Sequence, residues 1–158
     1  MLLLSKKLYN FNMLKFNFQT KNKIVKYFSS KPEVAAVYLY GSYARGDAKA
    51  DSDIDLAVLV TDKRKYKGFG IPQVVFANDL NQITGQKVEV QDLAVCPVDF
   101  ARRVLAEGQL LITNNEKARI NFEEKIIRIY FDLKPSLDEY FKELAEITKK
   151  GELHVRYI

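Results

Sequence analysis

Apolar and polar positions follow two periods along the chain, and each change of period marks an element. Ile24, Val25 and Phe28 recur at helical spacing between residues 20 and 30, ahead of Pro32, which predicts a first helix. Val34–Tyr40 is then an unbroken apolar and aromatic run bounded by Pro32 and Gly41, the pattern of a buried strand. Ile54–Val60 reads as a second strand running into the core. Pro72 opens and Gly85 closes a segment with Val75, Phe76, Leu80 and Ile83 on one helical face. A third, strand-like segment covers 87–93, and Pro97 and Gly108 bracket a helix with Phe100, Val104 and Leu105 as its buried positions. Residues 110–112 form an edge strand. From Glu116, Ile120, Ile127 and Tyr130, with Phe122, Ile126 and Ile129 beside them, make a broad helical face. Pro135 is expected to break or kink that helix before Leu137, Phe141, Leu144 and Ala145 resume it.

This order predicts an α+β, α/β-like class: a small mixed sheet with helices packed on one side and a helical C-terminal tail. Residues 1–18 read as an N-terminal extension that need not be ordered, with Met13 as an alternative start. Residues 19–158 read as a single domain whose C-terminal helices begin at about 115. The tail carries more apolar residues than one small sheet needs to cover. Part of it is therefore a candidate protein contact, although core packing is the simpler reading of any one residue.

Composition narrows the classes further. A chain of 158 residues and 18.2 kDa buries one real core and leaves no room for a second catalytic domain. Its net charge of +5 helps attract nucleotides or acidic partners but is too small to specify nucleic acid, and no nucleic-acid motif is present. The run Lys63-Arg64-Lys65-Tyr66-Lys67 and Lys21, Lys23 and Lys26 read as solvated faces. The single Cys96, just before Pro97, excludes an intrachain disulfide and reads as a packed small residue. His154 lacks metal-ligand spacing and reads as exposed. The apolar run Leu2-Leu3-Leu4 is too short for a signal core or a membrane span, so a cytoplasmic location is expected.

The chemistry concentrates in two short stretches. Gly41-Ser42-Tyr43-Ala44-Arg45-Gly46-Asp47 follows the first strand, and a Gly-Ser pair there leaves backbone N–H groups uncovered beside a hydroxyl, suited to phosphate oxygens. Asp53 and Asp55 open the second strand, where the two-residue period puts both carboxylates on one face. Two such charges repel unless a cation lies between them, and magnesium takes oxygen ligands while keeping sites for phosphates. In the third strand Glu89 and Asp92 lie on opposite faces. Glu89, between Val88 and Val90, is the preferred third acid, and Asp92 reads as a solvated residue near the strand end. Two other motifs are excluded. A calcium loop fails because Leu56 and Asp62 stand where it needs Gly and Glu. A P-loop fails because Asp47 and Ala48 replace its Lys and Ser/Thr. Asp47 and Asp51 read as solvated.

Gly41-Ser42-Tyr43-Ala44-Arg45-Gly46, Ser52-Asp53-Ile54-Asp55-Leu56, Val88-Glu89-Val90-Gln91-Asp92-Leu93 and Ala106-Glu107-Gly108-Gln109-Leu110-Leu111 together resemble the minimal nucleotidyltransferases of the DNA polymerase beta-like superfamily. The resemblance spans most of residues 34–112 and is nearest to antitoxins of that family paired with an all-helical HEPN-domain toxin. It implies magnesium-dependent transfer of AMP from ATP to a hydroxyl, as a tyrosine of a cognate toxin, with release of pyrophosphate. Asp53, Asp55 and Glu89 would be the catalytic and metal-holding acids, and Gly41 and Ser42 the phosphate site. Arg45 and Ser52 are second-rank candidates, for phosphate charge and for orienting Asp53, with a surface or capping role equally open. The family more often has Asp at the third acid, so Glu89 is a departure. Two other functions stay open: an antitoxin that acts by occlusion without turnover, and a small-molecule nucleotidyltransferase of the antibiotic-modifying type.

Overall fold

A computed structural model describes residues 18–49, 51–66 and 71–149. The extension read for residues 1–18 lies outside them except for Phe18, as do Met13, Lys67 and His154. Helix α1 (Phe18–Ser29) leads into β1 (Val34–Tyr40), the short helix α2 (Gly41–Arg45), β2 (Ile54–Val60) and a 3-10 turn, Arg64–Tyr66. Then follow α3 (Pro72–Thr84), β3 (Val88–Asp92), α4 (Val98–Glu107), β4 (Gln109–Thr113) and α5 (Glu116–Lys149). The strands form one mixed sheet in the order β3-β2-β1-β4. β1 is antiparallel to both β2 and β4, while β2 and β3 are parallel and joined through α3, the crossover that a parallel pair needs.

Helices cover both faces of the sheet, not one side as the element order alone predicts. Alternate residues of each strand point to opposite faces, and both sets are apolar. On the first face Val37, Leu39, Leu56, Val58 and Val90 meet Ile24 and Phe28 of α1 and Phe76 and Leu80 of α3. Phe28 and Phe76 cross edge-to-face at 5.3 Å, and Tyr66 approaches Phe76 in the same way at 5.4 Å. On the second face Ala36, Tyr38, Ala57 and Leu59 meet Ala101 and Val104 of α4 and Ile126 of α5. Small residues on strand and helix there let α4 lie close to the sheet.

Four further expectations are corrected, those for Tyr66, Asp92, Ile83 and Pro135. Lys63 and Lys65 are exposed as expected, and each also pairs with a buried acid: Lys63 Nζ lies 2.5 Å from Asp92 Oδ2, and Lys65 Nζ lies 3.1 Å from Glu33 Oε1. Tyr66 is itself core and donates to Glu33 at 2.6 Å. Asp92 is thus a buried, paired group and not a solvated one. Ile83, expected on the buried face of α3, is exposed. Pro135 does not interrupt α5, which is one helix of 34 residues. The loss of one N–H there leaves the carbonyl of Phe131 to solvent on an exposed stretch, where water can satisfy it.

Only Ile126 of α5 is buried. Tyr130, Leu133, Leu137, Tyr140, Leu144 and Ile147 recur at alternating three- and four-residue steps, the seam that faces a partner helix in a coiled coil. Core packing therefore does not account for the apolar residues of the distal helix. Among the described residues no helix is long and apolar enough to cross a membrane.

Candidate active site

The parallel register sets Asp55 of β2 opposite Glu89 of β3, and the antiparallel register sets Tyr40 of β1 opposite Asp55. Asp53, two residues before Asp55, shares its face. Both carboxylates and Glu89 therefore point to the second face at one end of the sheet, where α2 begins. Asp92, of opposite parity on β3, points to the first face and takes no part. Besides its pairing with Lys63 it accepts the N–H of Ala94 at 2.9 Å, which shapes the turn after β3.

Gly41 shows why this turn needs glycine. Its φ is +69°, a left-handed value that a side chain strains, and a Cβ built there would lie 2.1 Å from Asp55 Oδ2. The backbone at Gly41 thus approaches the carboxylate within the space a methyl group would fill. Ser42 follows in the first turn of α2, and Gly46, also left-handed, ends that helix. Arg45 pairs with Asp47 at 3.2 Å. Ser52 Oγ accepts the N–H of Lys49 at 2.8 Å and so closes the turn before β2.

The acids feel one another. The Asp55 carboxyl is raised above its ordinary range by burial first, then by the charges of Glu89 and Asp53, while Arg45 and Lys87 draw it back. Burial and then the charges of Asp55 and Glu89 push the Tyr40 phenol up to about 12. Burial first raises the Cys96 thiol as well, which fits a packed residue and not a nucleophile.

Lys87 joins the site without being predicted from the sequence. Its ammonium donates to Asp53 Oδ2 and, at 3.0 Å, to Glu89 Oε1, bridging acids from two strands. The signal was available, because Lys87 lies two residues before Glu89 and so on the same strand face. A cleft of about 260 Å³ adjoins the acids, lined by Tyr40, Gly41, Arg45, Phe100, Arg103, Val104 and Glu107. Phe100 and Tyr40 meet edge-to-face at 5.3 Å. Phe100, Arg103 and Glu107 fall on one face of α4 by their three- and four-residue spacing, but only the packing of α4 against β1 brings them to the site.

The donor chemistry suits a hard divalent cation, since all three candidate ligands are carboxylates and one positive group already lies between two of them. Among the described residues no three acids stand close enough to hold a metal in their present rotamers. Binding would require side-chain movement of Asp53 or Glu89, both partly exposed.

Comparison with known proteins agrees with this layout. A family model described as polymerase beta nucleotidyltransferase matches residues 22–117. A protein of Shewanella oneidensis named protein adenylyltransferase MntA is 27% identical over 137 residues, which cover 84% of this chain and 95% of that protein. A crystal structure of a toxin-antitoxin with AMP-PNP superposes with a TM-score of 0.65 at 25% identity, over 79% of this chain and 98% of that one. An MNT antitoxin in complex with a tri-AMPylated HEPN toxin from the same organism has the same fold, with a TM-score of 0.60 at 23% identity over 80% and 97% of the two chains.

Proposed function

The chain belongs to the polymerase beta nucleotidyltransferase family, and we propose that within it the protein is an adenylyltransferase that moves AMP from ATP to a tyrosine hydroxyl of a cognate HEPN toxin. The observation that carries the reading is the juxtaposition of Asp53, Asp55 and Glu89 on one sheet face beside the Gly41 turn. The name of the Shewanella oneidensis relative and the AMP-PNP bound in a related toxin-antitoxin support the nucleotide, and support a toxin as acceptor. A cytoplasmic location belongs to the same reading.

Asp53, Asp55 and Glu89 hold magnesium in this scheme. When bound, magnesium neutralises charge on the phosphates and favours attack by the acceptor oxygen. The backbone of Gly41 and the hydroxyl of Ser42 bind the β- and γ-phosphates, and Arg45, lining the cleft, adds positive charge near them. The aromatic wall of Tyr40 and Phe100 with Arg103 takes the nucleoside end. The acceptor oxygen forms a bond to the α-phosphorus as the bond to the departing pyrophosphate breaks, and the hydroxyl proton passes to solvent. Glu89 is more exposed than Asp53, and it is the acid assigned to the acceptor hydroxyl. The exposed seam on distal α5 supports docking of a helical partner.

Intact mass spectrometry of the toxin after incubation with this protein, ATP and magnesium tests the reading. One or more added AMP units with wild type and none with Asp53→Asn is the expected result. The ion pairs of Lys87 with Asp53 and Glu89, which occupy two of the three acids, favour a second reading, neutralisation by occlusion. In that case the toxin stays unmodified and Asp53→Asn still silences it.

A further inference from the structure

Lys87 is outside the machinery assigned above, yet it makes the closest contacts with it. Its ammonium bridges Asp53 on the N-terminal approach to β2 and Glu89 within β3. Its carbonyl accepts the N–H of Ile54 at 2.9 Å, so the base of the side chain is tied to β2 between Asp53 and Asp55. The main chain at Lys87 is thus fixed beside the acids, and its exposed side chain reaches both Asp53 and Glu89 from there. Three carboxylates on one face repel one another, and Lys87 is the cation that contacts two of them. Arg45, which lines the adjoining cleft, is paired with Asp47.

We infer that Lys87 is an internal counter-ion that competes with the divalent metal for Asp53 and Glu89, so that the nucleotide-free protein binds the metal weakly and takes it up together with the triphosphate. The inference rests on the metal-holding role proposed for these acids. A carboxylate oxygen that donates a lone pair to a magnesium or manganese ion cannot keep the same contact with an ammonium, and two positive charges cannot share that space without repulsion. The triphosphate relieves the conflict by bringing its own negative charge with the ion. Lys87 acts through the acids and is thus a positioning residue.

The test is titration of the nucleotide-free full chain with manganese, read by calorimetry or by the loss of the free-ion paramagnetic signal, for wild type, Lys87→Met, Lys87→Arg and Asp53→Asn. Lys87→Met keeps the stem and removes the charge, and is expected to bind manganese about tenfold more tightly than wild type, the scale of one partly screened unit charge at contact. Lys87→Arg is expected to keep the weak wild-type affinity, and Asp53→Asn to lose binding. Equal affinities for wild type and Lys87→Met, with binding lost in Asp53→Asn, would leave the metal site standing and overturn the competition. Weaker binding by Lys87→Met would overturn it as well. Identical titrations for all four proteins would sink the metal-holding role itself and this inference with it.

Discussion

Glu89 and Asp92 lie on one strand, on opposite faces, and each meets a lysine, but they do opposite things. Asp92 is closed over by the first face, its two oxygens taken by Lys63 and by the N–H of Ala94. The ion pair and the hydrogen bond together make a staple between β3 and the loop after β2. Glu89 is half-exposed, shares its lysine with Asp53, and stands opposite Asp55, whose carboxyl is raised by burial first and then by its neighbours' charge. A buried, paired acid holds the fold, and an incompletely neutralised cluster open to solvent has the perturbed electrostatics common at functional sites.

The largest effect should come from the open cluster. Asp53→Asn or Asp55→Asn is expected to lower AMP transfer about a thousandfold or more while leaving the circular dichroism spectrum native, since such a change removes charge stabilisation at the reacting phosphate. Transfer is checked by toxin mass or by pyrophosphate release. Retained transfer in both variants would dissolve the distinction between the two acids of β3. Gly41→Ala is the next largest. Its Cβ would meet Asp55 Oδ2 and its φ would be strained, so about a hundredfold loss of transfer is expected. Gly85→Ala, also at a left-handed φ but with open space around it, is the control that should spare transfer.

Asp92→Asn reverses the pattern. It strips a buried ion pair of one charge while keeping the shape and the bond to Ala94, and is expected to cost about 2 kcal/mol in urea unfolding, below the range for fully buried pairs because Lys63 is partly exposed. Transfer per folded molecule should be unchanged. Glu89→Gln should do the converse, sparing stability and reducing transfer.

How much of this was legible depended on range. Asp53 and Asp55 on one face, and Glu89 against Asp92 on opposite faces, follow from the two-residue period of a strand, and the structure places all four accordingly. The Gly-Ser turn implies close access at Gly41, and the collision of a Cβ there with Asp55 gives that access a measure. The fate of Asp92 was not legible, because solvation or burial turned on Lys63 arriving from the loop after another strand. The two-sided covering of the sheet was missed for a related reason. Near-continuous apolar runs in β1 and β2 already carry the signature of burial on both faces, but where α4 and α5 pack is set by tertiary contacts. Local rules at Pro135 presume a buried or unsolvated helix, whereas α5 is exposed there and tolerates the missing hydrogen bond. The helical spacing of Phe100 predicts core, and only the packing of α4 against β1 makes it a cleft wall.

The smallest expected effect carries the comparison into pH. Asp55 has its folded pKa raised, by burial first and then by Glu89 and Asp53. A group shifted in that direction contributes stability below its unfolded pKa and loses it as pH rises through the folded value, so at neutral pH ionised Asp55 is a burden on the metal-free protein. Glu33 on the structural side moves the other way. Burial works to raise it, but the hydrogen bond from Tyr66, helped by Lys65, outweighs burial and lowers it. Its contribution is present above the unfolded pKa and is lost as pH falls through the lowered folded value. Metal-free Asp55→Asn should therefore melt slightly higher than wild type at pH 7, with the gain fading as acid protonates Asp55. Glu33→Gln should melt lower at pH 7, with the deficit fading as acid protonates Glu33. Melting curves of both variants in chelator across pH 3 to 7 read the two signs directly. Shifts of the same sign would mean that the site acids are as well satisfied as the structural ones, and the contrast between the faces would fail.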